Sequence, residues 1–269
     1  AIKGYRYPSE LLPIQQFGGL HTRFAALGSG DGTQPFRTVQ DYDKFLGRMD
    51  GFVQWVDHAI ANLNVGAEKG LVQPKAVIEQ TIAELEALAV VDPQQSVFWQ
   101  PIERLPSAFS DADRERLTKA YADKLAKDVL PAYRRLRDYL KNDYLPQARD
   151  SISWADLPTG SEWYSQLVRQ HTTTSLAPEA LHELGLRDVI RIRGELERIR
   201  NQLSFAGDLR GLQEALRVDA NQHYASPGEL LDDYRSLQKR VDAALPLLFE
   251  RKAKARLEIR PVDERVEEG

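Results

Sequence analysis

Residues 110–146, SDADRERLTKAYADKLAKDVLPAYRRLRDYLKNDYLP, decide the fold. Leu117, Tyr121, Leu125, Val129, Tyr133, Leu136, Leu140 and Tyr144 recur at steps of three and four, a spacing that collects side chains on one face of an α-helix. Ser110-Asp-Ala-Asp113 supplies its start: a hydroxyl to accept an unpaired backbone N–H, and carboxylates beside the positive end of the helix dipole. Pro131 sits inside the stripe with no N–H to donate, so a kink or a split into two helices is expected there. Pro146 is expected to end the run.

The same grammar extends outward in both directions. Thr38-Val-Gln-Asp41 has the form of a helix N-terminus, and Tyr42, Phe45, Met49, Phe52, Val56 and Ile60 continue it at helical spacing to about Leu63. Pro74 can open a second helix bearing Ile78, Ile82 and Leu85. Residues 92–107 are broken by proline and read as an ordered loop anchored by Phe98 and Trp99. Beyond the deciding stretch, a short helix is expected at 161–170, a long one from Pro178 to about Leu203, and another at 208–218. Ser226-Pro-Gly-Glu229 is the best capping box in the chain, and opens a helix running to about Phe249. Residues 1–35, rich in Gly, Pro and aromatics, read as an irregular arm with a loop at Gly28-Ser-Gly-Asp-Gly32. Only Arg256-Leu-Glu-Ile-Arg-Pro-Val262 alternates as a strand would. The fold class is therefore all-α: a multi-helix array of long, proline-kinked amphipathic helices with an irregular arm (1–35), a helical domain (36–250) and one C-terminal strand or linker (251–269).

Composition narrows the function by exclusion. The 269 residues are 42% hydrophobic and 28% charged, with 36 Lys plus Arg against 40 Asp plus Glu, a net charge of −4. That balance argues against a dedicated nucleic-acid binder. No apolar run approaches the ~20 residues of a membrane span. The absence of cysteine removes disulfides, thiolate metal sites and cysteine nucleophiles. Met49 is the only methionine and Ala1 the first residue. An initiator at Met49 would discard what reads as folded protein, so an N-terminal segment is expected to have been removed.

Candidate chemistry is sparse. A helical zinc peptidase motif needs His-Glu-x-x-His, which sets two imidazoles on one helix face. His182-Glu183 begins it, but Leu186 stands at the second histidine position, and the five histidines (21, 58, 171, 182, 223) include no pair three or four apart. The pairs Asp41/Asp43, Asp111/Asp113 and Asp232/Asp233 lie in first or second helical turns and read as solvated, dipole-complementing acids. Arginines at 187, 191, 193, 198 and 200 alternate with Asp188, Glu195 and Glu197, which describes a mixed solvated face. No Gly-x-Ser-x-Gly elbow singles out a serine. The most unusual string is Glu162-Trp-Tyr-Ser-Gln-Leu-Val-Arg-Gln-His-Thr-Thr-Thr-Ser175. An imidazole and three hydroxyls gather there at a helix end. They either cap the junction or form a polar wall of a substrate groove, with His171, Thr172, Thr173 and Thr174 as the candidates and Tyr164 and Arg169 one or two turns earlier.

Taken as an ordered set, several strings resemble the bacterial domain-of-unknown-function family 885. They are Ser9-Glu-Leu-Leu-Pro-Ile-Gln-Gln-Phe-Gly-Gly19, Gln34-Pro-Phe-Arg-Thr-Val-Gln-Asp-Tyr-Asp43, Leu130-Pro-Ala-Tyr-Arg-Arg-Leu-Arg-Asp138, Tyr144-Leu-Pro, His171-Thr-Thr-Thr, Leu181-His-Glu-Leu-Gly185 and Ser226-Pro-Gly-Glu-Leu-Leu. The family's members are zincin-like, about twice this long, and often carry lipoprotein signals. Their zinc motif lies after the segment similar to 257–262. The resemblance implies the helical portion of a zinc-dependent metallopeptidase, forming one wall of a cleft for a peptide substrate. It implies no zinc ligand or cofactor in this chain: zinc is expected in the C-terminal half that is missing here, itself the expected partner. The bacterial cell envelope or periplasm is the implied location. The alternative is a free-standing, non-catalytic helical binding or scaffold protein.

Overall fold

A computed structural model describes residues 7–15, 17–251, 253–255 and 257–261. The chain divides into two units, Ala1–Pro178 and Glu179–Gly269. Its elements are helices: α1 (Leu20–Gly28), α2 (Val39–Glu68), α3 (Lys75–Leu88), the short α4 (Gln100–Glu103), α5 (Asp111–Lys124), α6 (Leu130–Tyr139), α7 (Gly160–Thr172), α8 (Pro178–Gln202), α9 (Leu209–Val218) and α10 (Pro227–Leu248).

In the first unit the local signals act as their chemistry requires. Thr38 Oγ1 accepts from the Asp41 N–H at 3.3 Å while the Asp41 carboxylate accepts from the Thr38 N–H at 2.9 Å, a complete capping box that satisfies two otherwise orphaned donors. Ser110 Oγ caps α5 through the Asp113 N–H at 3.1 Å. Pro131 neither breaks the deciding helix nor kinks it in isolation. A π turn over Leu125–Val129 runs directly into α6, and the Leu130 N–H reaches back five residues to the Leu125 carbonyl. The widened turn relieves the crowding that a proline ring imposes on the preceding turn. The pattern repeats at Leu140–Tyr144, another π turn set just before Pro146, after which the chain leaves the helix through a 3₁₀ turn.

The stripe from Leu117 to Tyr144 is wholly buried and packs with α2 and α3 into one core. That core is unusually aromatic. Phe24 stacks on Phe52 at 4.5 Å and Phe52 meets Tyr133 at 4.6 Å between ring centroids. Among the described residues four tyrosines are fully buried, and each hydroxyl is satisfied. Tyr42 donates to the Pro101 carbonyl (2.9 Å), Tyr121 to the Tyr42 carbonyl (3.3 Å) and Tyr133 to the His21 carbonyl (2.8 Å), while Tyr144 accepts from the Gln73 N–H (2.9 Å). A buried hydroxyl left unpaired costs about 1–3 kcal/mol, so these bonds fix where each ring can sit. A smaller cluster of Leu11, Leu71, Leu157 and Trp163 seats α7, with Tyr7 stacked on Trp163 at 5.4 Å.

Two expectations need correction. The arm 1–35 is not irregular throughout: α1 forms within it, burying His21, Phe24, Ala25 and Gly28, a helical i, i+3, i+4, i+7 set disguised by a histidine and a glycine. The C-terminal strand is not formed. Residues 257–261 carry no strand structure, Arg256 and Val262 lie outside the described residues, and the only β-bridge among the described residues pairs Pro74 with Arg149. Alternation alone cannot hold a strand without a neighbour to take its backbone bonds. The Leu257 carbonyl accepts instead from the Gln238 side-chain amide at 3.1 Å.

The second unit is built differently. Ser226 Oγ caps α10 through the Glu229 N–H at 3.2 Å and Asp208 caps α9 through the Gly211 N–H at 2.7 Å. Yet among the described residues α8 and α10 bury nothing, and α9 buries only Leu212.

Candidate functional site

Helix α7 carries the residues that the sequence singles out. It is bracketed by two threonines in the left-handed region, Thr159 (φ 55°) before it and Thr173 (φ 58°) after it. A β-branched residue there is strained. At the C-terminal end hydrogen bonds hold the turn in place. The Thr173 N–H donates to the Arg169 carbonyl at 3.0 Å. Thr172 Oγ1 donates to the Val168 carbonyl at 2.8 Å and lies 3.0 Å from Thr174 Oγ1, and the Thr174 N–H donates back to Thr172 Oγ1 at 3.3 Å. The Leu176 N–H then donates to Thr174 Oγ1 at 3.4 Å. Thr172 and Thr174 therefore close the junction, the capping role weighed for them.

The side chains of Tyr164, Arg169 and His171 take no part in that network. Tyr164, Arg169 and His171 are exposed. Tyr164 and His171, seven residues apart, share a face of α7, whereas Arg169 points elsewhere around the helix. The helix is seated through Trp163, which is buried against Tyr7 and, edge-on at 4.8 Å, Trp154. Its end presents a phenol and an imidazole to solvent, groups that can make hydrogen bonds.

Sequence reasoning missed a second polar constellation. His21, on α1, is fully buried, and its Nε2 lies 2.9 Å from Glu84 Oε2 on α3. In the Nε2–H tautomer it donates to that carboxylate, and Nδ1 is left without a partner. Burial lowers the His21 pKa, against the opposing pull of Glu84. Gly19 makes room for the ring, since a Cβ there would stand 2.4 Å from His21 Cε1. No local signal announces the pair, because its members are 63 residues apart. It ties α1 to α3.

Most of the other acidic pairs are engaged structurally. Arg116 holds Asp43 through two bonds of 2.8 and 3.1 Å; Asp41 accepts from the Thr38 N–H and Asp113 from the Ser110 hydroxyl, Asp232 pairs with Arg235 at 2.8 Å, and Asp233 accepts from Tyr224. A shallow depression of about 330 Å³ beside Gly47 is lined by ion pairs: Lys124 bridges Asp50 and Asp128, and Lys127 pairs with Asp123. Among the described residues no three His, Asp or Glu side chains converge as metal ligands, and no helix is long and apolar enough to cross a membrane.

These features define an all-α protein with an aromatic core and an exposed polar helix end. The chain belongs to the family described as "Bacterial protein of unknown function (DUF885)", whose model matches residues 2–269. It is similar in structure to a crystal structure titled as that of "the putative lipoprotein from Colwellia psychrerythraea", with a TM-score of 0.83 and 21% sequence identity. That match covers 95% of this chain and 45% of the other, so the chain spans less than half the relative's length. No curated protein matches it in sequence.

Proposed function

We propose that this chain is the helical, non-catalytic portion of a zinc-dependent metallopeptidase of the bacterial envelope, and that the end of α7 forms part of its substrate-cleft wall. The single observation that carries the reading is the exposed polar end of α7, where Tyr164 and His171 share a face beside the strained turn at Thr173. The reaction class follows the resemblance drawn from the sequence, in which the family's members are zincin-like. The likeness to a protein titled a lipoprotein supports the location. The reading places no zinc ligand in this chain, since His182-Glu183 lacks the second histidine of the helical zinc motif and His21 pairs with Glu84. Metal chemistry would belong to polypeptide outside residues 1–269, and the part played here is to bind and align a peptide by hydrogen bonds.

The test compares the full product of the native gene with residues 1–269. Chelator-sensitive peptide hydrolysis is expected of the former and not of the latter. In an active full product, His171→Ala is expected to raise KM with little change in kcat, the mark of lost ground-state binding. Chelator-sensitive cleavage by residues 1–269 alone would overturn the reading, as would a full product that cleaves no peptide. The second reading, a free-standing helical binding module, is favoured by the closed core of the first unit.

A further inference from the structure

The second unit exposes apolar side chains in register. On α8, Val189, Ile192, Leu196 and Ile199 follow at steps of three and four and are 36–52% exposed, with Ile190 beside them at 72%. On α10, Leu230, Tyr234, Leu237 and Val241 do the same at 37–53%, and exposure climbs at its end to 84% for Leu247. Stripes at this spacing are what a helix presents to a partner, and apolar patches of this extent on a folded surface mark interaction sites. Some charges on the same helices pair within their own helix: Arg191 with Asp188 and Glu195, Arg200 with Glu197 and Arg235 with Asp232. The stripes themselves are apolar side chains, which suit an apolar partner surface.

We propose that these stripes are covered by helices from the part of a longer polypeptide that lies outside residues 1–269. The Colwellia protein supplies the ground for choosing this occupant. A chain of the same fold there continues within one polypeptide to more than twice the matched length, and a covering element in the same chain acts at high effective concentration without needing an assembled dimer. The proposal rests on the chain being a portion of a longer protein, not on that protein's chemistry.

Site-specific photo-crosslinking in the full product of the native gene tests it, with a benzophenone amino acid at Ile190 or Leu247 and, as a control, at exposed Lys44. Crosslinks from 190 and 247, absent from 44, are expected to peptides of the same gene product outside 1–269. They should be lost on combining Leu237→Glu and Val241→Glu with the probe, while helical circular dichroism stays unchanged. Crosslinks to residues 1–178, to a second copy of 179–269, or to nothing would each overturn the proposal. A peptidase assay is not a readout, so failure of the proposed reaction and failure of this docking are told apart.

Discussion

The two units of this chain obey the same sequence rules and end in opposite physical states. Both are amphipathic helices, with side-chain caps at the N-termini of α2 and α5 in the first and of α9 and α10 in the second. In the first unit α2, α5 and α6 bury most of their stripes, and the hydroxyls of Tyr42, Tyr121, Tyr133 and Tyr144 are satisfied. In the second, equally periodic stripes on α8 and α10 stay open. Periodicity thus states which face a helix wants to cover; it does not state whether the cover is in the same stretch of chain. That distinction can be broken by experiment, because all four tryptophans (55, 99, 154 and 163) lie in the first unit. Fluorescence therefore reports that unit alone, while far-UV circular dichroism reports both.

The largest effect is expected in the aromatic core. Phe52 is 3% exposed and contacts Phe24 and Tyr133, so Phe52→Ala should cost the first unit about 3–5 kcal/mol, read as a lower urea midpoint by fluorescence. An unchanged midpoint would mean that this core is not what stabilises the unit. Next comes Gly28. A Cβ there would stand 2.2 Å from Phe98 and 2.9 Å from Phe45, and Gly28→Ala should cost about 1–3 kcal/mol by overpacking. A neutral outcome would show that the rings beside α1 can move, contrary to a close-packed core.

A pH effect should also separate the units. Burial lowers the His21 pKa from its ordinary value near 6.5, so below that value the unfolded chain binds a proton that the folded one resists. The stabilising contribution is present above pH 6.5 and is lost as pH falls through the folded value. Protonation would turn Nδ1 into a donor with no acceptor. Fluorescence-detected stability should therefore fall on acidification below pH 6.5, and His21→Asn should flatten that dependence. A slope that persists unchanged in the variant would assign it to other groups.

How much was legible follows from the range of each interaction. The caps at Thr38, Ser110 and Ser226 span three residues, and all were readable. The stripe from Leu117 to Tyr144 was readable too, but the remedy for Pro131 was not: a π turn is a choice of backbone register that leaves the apolar spacing almost unchanged. The pairing of His21 with Glu84 depends on how α1 meets α3, which no window of sequence contains. At α7 the string from Tyr164 to Thr174 was visible as unusual chemistry, yet only geometry separates Thr172 and Thr174, which tie the turn, from His171, which does not. The alternation at 256–262 misled because a strand is defined by its neighbour.

The smallest predicted effect sharpens the comparison most. Leu237, on α10, is 48% exposed, and in residues 1–269 Leu237→Ala should change stability by no more than about 0.5 kcal/mol, followed by circular dichroism because the second unit has no tryptophan. In the full gene product the same substitution should cost about 2–5 kcal/mol, the range for a leucine emptied from a packed core. The side chain, helix and substitution are the same in both, so the difference between the two values measures the cover alone. A small change in both would mean that the stripe on α10 remains solvent-facing in the longer protein. A large change already in residues 1–269 would mean that the second unit closes on itself in solution.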